Sequence, residues 1–215
     1  VAPAKDVFPL PDTIPLEEGA IIADAISTPF HAVRNRGKVR AGDVVVVFGC
    51  GGVGINAIQV AAASGAHVIA VDIAEKKLAW AAEFGAKECL DASRDEKIPK
   101  TIRKLTGGGA DVVIEAIGRP ETIETAFECV RPGGRLVVVG FCDKPVSLSA
   151  AKIMFREIEV VGSLGCRPVD YPKLIQMCAE GAIKVTPVVT QRFALRDIAD
   201  AFEVMKAGQA LRSIV

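Results

Sequence analysis

The chain has 215 residues, 50% hydrophobic and 24% charged, with 26 Lys and Arg balanced by 26 Asp and Glu. That length can bury a full core, the zero net charge argues against a nucleic-acid binder, and the apolar content excludes disorder. Six cysteines with no Cys-x-x-Cys pair point to reduced thiols in a cytoplasmic protein.

The opening residues carry no charged region ahead of an apolar stretch, so no signal peptide is expected. Pro3, Pro9, Pro11 and Pro15 crowd residues 1–16 and predict an extended segment. A helix is then expected from about Glu17 toward Arg36, interrupted or kinked at Thr28-Pro29. From Asp43 onward short β-branched runs alternate with segments of helical period. The expected strands are Val44–Phe48, His67–Asp72, Lys87–Leu90, Ala110–Glu115, Arg135–Gly140 and Glu159–Gly162. Between them fall helices near Gly52–Ser64, Ala74–Phe84, Asp95–Leu105, Glu121–Val130 and Ala150–Arg156.

Strands such as Val44-Val45-Val46-Val47-Phe48 are apolar on both faces, as strands covered by helices on both sides must be. The fold class is therefore α/β, a doubly wound sheet of six parallel strands. Residues 44–71 carry no charged side chain, yet four glycines between Gly49 and Gly54 make a membrane span a poor reading of that run. After Gly165 a helix near Tyr171–Glu180, a strand near Val188–Phe193, a helix near Leu195–Lys206 and a terminal strand are expected.

The strongest chemical signal is Gly49-Cys50-Gly51-Gly52-Val53-Gly54, a G-x-G-x-x-G match placed between a strand and a helix. Gly49 permits the tight turn, Gly51 lets a pyrophosphate approach the backbone, and Gly54 allows the helix to lie close on the strand. The helix start, at Gly52 and Val53, offers free N–H groups to the phosphates. Asp72 ends the second strand 18 residues after Gly54, where a carboxylate accepts the adenosine ribose hydroxyls and repels a 2′-phosphate. NAD is therefore expected over NADP. Lys77 could reach the same ribose, or be an ordinary surface lysine. Residues at the carboxyl ends of the later strands, Ala116-Ile117-Gly118, Gly140-Phe141 and Ser163-Leu164-Gly165, lie where a nicotinamide ring would rest.

These segments, with Gly109–Gly118 and Arg131–Gly140, resemble the zinc-containing medium-chain alcohol dehydrogenases over essentially the whole chain. Gly165-Cys166-Arg167-Pro168 with Tyr171-Pro172 is similar to the 6-hydroxycyclohexene-carbonyl-CoA dehydrogenases within that family. The resemblance implies a cofactor portion at 26–164, a catalytic-domain remnant at 1–25, and a segment at 165–215 that returns to the catalytic domain. It implies NAD as cofactor, catalytic zinc in the full-length enzyme, and Asp24 as one zinc ligand. It places Thr28 and Val53 beside the nicotinamide, Ile117, Val139 and Ser163 against its ring or carboxamide, and Arg212 on the pyrophosphate. Thr28 and His31 are the catalytic candidates, His31 as a proton relay.

The implied reaction moves a hydride between an alcohol or ketone and NAD, with this portion alone inactive. The implied assembly is a homo-oligomer, dimer or tetramer, joined at the edge Glu159–Gly162, without nucleic acid or membrane. Two other readings stay open: a zinc-free enone or quinone reductase using NAD(P)H, and a non-catalytic nucleotide-binding module.

Overall fold

The computed structural model describes residues 2–215. Helices α1 (Leu16–Gly19) and α2 (Ser27–Phe30) come first. Next α3 (Gly52–Ala63), α4 (Glu75–Glu83), α5 (Ile98–Thr106), α6 (Pro120–Glu128) and α7 (Ala150–Arg156) alternate with strands β1 (Val44–Phe48), β2 (His67–Asp72), β3 (Glu88–Asp91), β4 (Ala110–Glu115), β5 (Val130–Val138) and β6 (Glu159–Gly162). These six strands form one parallel sheet in the order β3-β2-β1-β4-β5-β6. Helices α8 (Tyr171–Ala179) and α9 (Ile198–Lys206) follow, with a small parallel pair, β7 (Val189–Arg192) and β8 (Arg212–Ile214).

The expected doubly wound α/β sheet is thus present, and the pleat explains why β1 is apolar throughout. Val45 and Val47 enter a core shared with Ile55 and Ile58 of α3, whereas Val46 and Phe48 enter a second core with Ile98, Ile102 and Phe127. Strand order reverses between β1 and β4, so a crevice opens at their carboxyl ends. No helix among the described residues is long and apolar enough to cross a membrane.

The region before the sheet corrects one expectation. There is no single helix from Glu17 to Arg36: α1 passes into a 3₁₀ turn at Ala20–Ala23, and the chain breaks at Asp24, where φ is −137° and ψ is −60°. A fresh helical segment starts at Ser27 and continues as a π-helix over His31–Arg36. Pro29 therefore falls in a first turn, where its missing N–H costs nothing, and it does not kink the helix. Strand β5 also begins earlier than expected, at Val130, with the Pro132-Gly133-Gly134 run inside it and a register shift against β4.

The flanking segments do not stand apart from the sheet. Ile14 and Ile22 from the start of the chain, and Leu174, Ile183, Val188 and Leu211 from its tail, share one buried core with α3 and β1. The two segments also meet each other: the Phe8 and Tyr171 rings stack at 5.0 Å, Tyr171 donates to the Ala23 carbonyl at 2.8 Å, and Arg192 pairs with Glu18.

Candidate cofactor site

The crevice is built from the end of β1 outward. Gly49 turns the chain at φ +90°, a conformation that favours glycine, and its N–H is held by the Val71 carbonyl at 2.8 Å. Gly51 then caps α3 with extended backbone and no side-chain cap, which leaves the N–H groups of the first helical turn for a ligand. A Cβ built on Gly51 would project into open space. One built on Gly54 would stand 1.7 Å from the Gly49 carbonyl oxygen, so helix and turn touch backbone to backbone there. The sequence-level roles of these glycines thus correspond to two different geometries, an open cradle at Gly51 and a close contact at Gly54.

At Gly52 the neighbour comes from the far end of the chain. A Cβ there would meet the Leu211 carbonyl at 2.5 Å and the Arg212 guanidinium at 2.7 Å. The Arg212 Nε is buried without a hydrogen-bond partner, and burial lowers the pKa of the group, with Asp24 opposing. A guanidinium is costly to bury unpaired. Here it lies over a helix N-terminus, with the positive end of the dipole beside it, an arrangement that suits an anion.

Asp72 is 7% exposed and already engaged. One carboxylate oxygen accepts from Cys50 N–H at 2.7 Å, and the other accepts from Ile73 and Ala74 N–H at 2.8 and 3.0 Å. The carboxylate therefore ties the end of β2 to the glycine turn, and keeps only its remaining lone-pair capacity for a ribose. Beside it a cleft of ≈ 860 Å³ runs between α5 and α6, lined by Val71, Asp72, Ile73, Lys77, Ile117 and Arg119 among others. Its size and apolar floor suit the adenosine half of a dinucleotide.

The family described as zinc-binding dehydrogenase matches residues 52–180 of this chain. The chain belongs to that family. It is 33% identical to sorbitol dehydrogenase of Rattus norvegicus over 212 residues, which cover 97% of the chain and 58% of the rat protein. D-arabitol-phosphate dehydrogenase of Enterococcus avium is 28% identical, with 100% of the chain and 62% of that protein covered. Among solved structures, 2R,3R-butanediol dehydrogenase from Bacillus subtilis superposes with a TM-score of 0.90 at 30% identity, covering 97% of the chain and 60% of that one. The chain therefore spans well under two thirds of these relatives.

Against that family background the remaining candidates fall into two groups. Ile117 and Val53 flank the turn: Ile117, 40% exposed, lies on Gly49, and Val53 is half-buried in the first turn of α3. Ser163 follows β6 with its N–H on the Val138 carbonyl at 2.9 Å and its hydroxyl buried and unpartnered. Val139 is half-buried, its N–H on the Glu115 carbonyl at 2.9 Å. Thr28 donates to Asp24 at 2.9 Å. That leaves Asp24 exposed and near Arg212, and no three His, Cys, Asp or Glu among the described residues gather to hold a metal. The side chains of the described residues do not by themselves make a zinc site.

His31, the other catalytic candidate, is partnered on its own helical segment. Its Nδ1 faces the Asn35 amide at 3.0 Å, and Asn35 in turn binds Asp170 and Arg167. Burial and the Arg167 charge lower the His31 pKa. No hydrogen bond links His31 to Thr28 among the described residues. The six cysteines are free thiols; at Cys50 burial, then Asp72, pushes the thiol pKa up, which makes it a poor nucleophile.

One organising residue escaped sequence reasoning. Glu115, at the end of β4 and fully buried, accepts from Ile117 N–H at 3.0 Å, Gly118 N–H at 2.9 Å and the Thr122 hydroxyl at 2.7 Å. It shapes the loop that forms one wall of the crevice. A Glu115→Gln variant turns an NH₂ toward groups that are donors, and should lose about 2 kcal/mol of stability in urea unfolding. The only sequence signal was a carboxylate at the carboxyl end of an otherwise apolar central strand.

Proposed function

We propose that this chain is the NAD-binding part of an oxidoreductase that moves a hydride between an alcohol or ketone and NAD. One observation carries the reading: the buried, unpartnered Nε of a half-buried Arg212 beside the uncapped start of α3, within a glycine turn that Asp72 braces. NAD, when bound, supplies the hydride acceptor. The residues of this chain would do the holding. First-turn N–H groups of α3 and Arg212 take the diphosphate, Asp72 the adenosine ribose with Lys77 beside it, and the cleft along Ile73 and Ile117 the adenine. Val53, Thr28, Ile117, Val139 and Ser163 are assigned to the nicotinamide end, where the unpaired Ser163 hydroxyl suits a carboxamide.

The substrate pocket and the zinc of the whole protein would come from residues outside this chain, with Asp24 as one contributing carboxylate. In support of residues 1–25 and 165–215 serving as the interface to that part, α9 exposes Phe202 and Met205. Oligomerisation through β6 is supported by its place at the sheet edge, and a cytoplasmic setting by six free thiols. The Asp72 carboxylate disfavours the NADPH-dependent reductase reading, because it would face the 2′-phosphate.

Calorimetric titration tests the assignment. The chain should bind NAD, bind NADP at least ~100-fold more weakly, and oxidise no alcohol by itself. Equal affinity for both dinucleotides, or binding of neither, would overturn it.

A further inference from the structure

Helix α3 buries two amides among apolar side chains. Asn56 is 0% and Gln59 4% exposed, among Ile55, Ala57, Ile58, Val60 and Ala61. Buried amides destabilise unless their polar atoms are paired, and here they are. Asn56 Nδ2 donates to the Gly52 carbonyl at 2.8 Å, and Gln59 Nε2 donates to Asn56 Oδ1 at 2.9 Å. Gln59 then pairs with both backbone groups of one residue in the tail: Nε2 donates to the Lys184 carbonyl at 3.2 Å, and Oε1 accepts from Lys184 N–H at 2.8 Å.

This double contact behaves like a single rung of a sheet. Apolar contacts at Ile183 and Val185 on either side tolerate sliding, whereas a donor–acceptor pair aimed at one residue's N–H and C=O does not. Four residues beyond Lys184 lies the fully buried Val188, and Val189 begins β7, in register with Arg212 of β8. The ladder thus runs from the phosphate turn at Gly52, through the interior of α3, to the tail, and the tail returns Arg212 to Gly52.

We propose that Gln59 is a positioning residue: by gripping the Lys184 backbone it sets the tail in the register that holds Arg212 over the phosphate turn. The inference rests on the NAD-binding reading and deepens it. Gln59 itself touches no cofactor; it acts on diphosphate affinity through Arg212.

The test compares ADP with adenosine, which lacks the diphosphate, by calorimetry on the whole chain. Gln59→Met, similar in length but without donors, should weaken ADP about tenfold and leave adenosine within twofold. Arg212→Met should do the same, and the double variant should be no weaker than Arg212→Met alone. Additive losses, or equal losses for ADP and adenosine, would overturn the proposal, since a merely structural role predicts either. Should Gln59→Met fail to fold, hydrogen exchange on the unaltered chain decides. ADP, but not adenosine, should slow exchange across 183–192 as well as 211–215, and protection confined to the glycine turn would refute the link. No ADP binding by the unaltered chain would instead overturn the cofactor reading, and this inference with it.

Discussion

Replacing Gly54 with Ala is expected to abolish dinucleotide binding and to destabilise the fold by at least about 3 kcal/mol. The added methyl would stand 1.7 Å from the Gly49 carbonyl oxygen, a main-chain atom that cannot swing aside as a side chain can. Relief requires α3 to lift from the turn or the turn to open. Either movement disturbs a helix whose Ile55, Ala57, Ile58, Val60 and Ala61 are fully buried, so the cost propagates into the larger core. Gly51→Ala serves as the contrast. Its Cβ meets nothing within 4 Å, so folding should be nearly unchanged, while the methyl occupies the cradle proposed for the diphosphate. Urea unfolding and NAD titration of the two variants should therefore separate: Gly54→Ala loses both properties, Gly51→Ala binding alone. If Gly51→Ala binds NAD as well as the unaltered chain, the cradle is not the phosphate site.

The two glycines also mark how far residue order alone reaches. The motif and its strand–helix context are local, and so were readable, as were six strands whose apolar runs and glycine stops recur along the chain. What was not readable depends on contacts between distant positions. Gln59 and Lys184 are 125 positions apart, and nothing in a buried-looking helix distinguishes a glutamine that binds the tail from one facing water. Arg212 was assigned only through resemblance; its lack of a partner, which gives the assignment physical content, appears only in three dimensions.

The helix expected over Glu17–Arg36 failed for a related reason. Its apolar residues run almost continuously, so periodicity could not locate the break at Asp24, beside which the Ala23 carbonyl accepts from Ser27 and from Tyr171 of the tail. Glu115 went unassigned because a strand-end carboxylate is common, and its three donors come from a loop whose path could not be foreseen.

Asp72 is where two roles meet in one side chain, and substitutions can separate them. Asp72→Asn should lower NAD affinity about 10- to 100-fold, the scale of one or two charge-assisted hydrogen bonds. The carboxamide keeps one acceptor oxygen, so either the Cys50 N–H or the Ile73 and Ala74 N–H groups then face an NH₂. Where the Cys50 N–H is the one left facing the NH₂, the glycine turn loses its brace from β2, which weakens NAD and NADP alike, so the effect of the lost charge is read from the ratio of their affinities. Asp72→Ser removes the charge and most of the bulk. A unit charge ~4 Å from a 2′-phosphate at an effective dielectric of ~20 repels it by ~4 kcal/mol before screening, so deleting the charge should bring NADP toward parity with NAD. The ratio of the two affinities, taken at two salt concentrations, reads the electrostatic part, since only that part shrinks with added salt. If Asp72→Ser leaves the ratio where it was, Asp72 braces the turn and does nothing else, and the preference for NAD must lie in the cleft between α5 and α6.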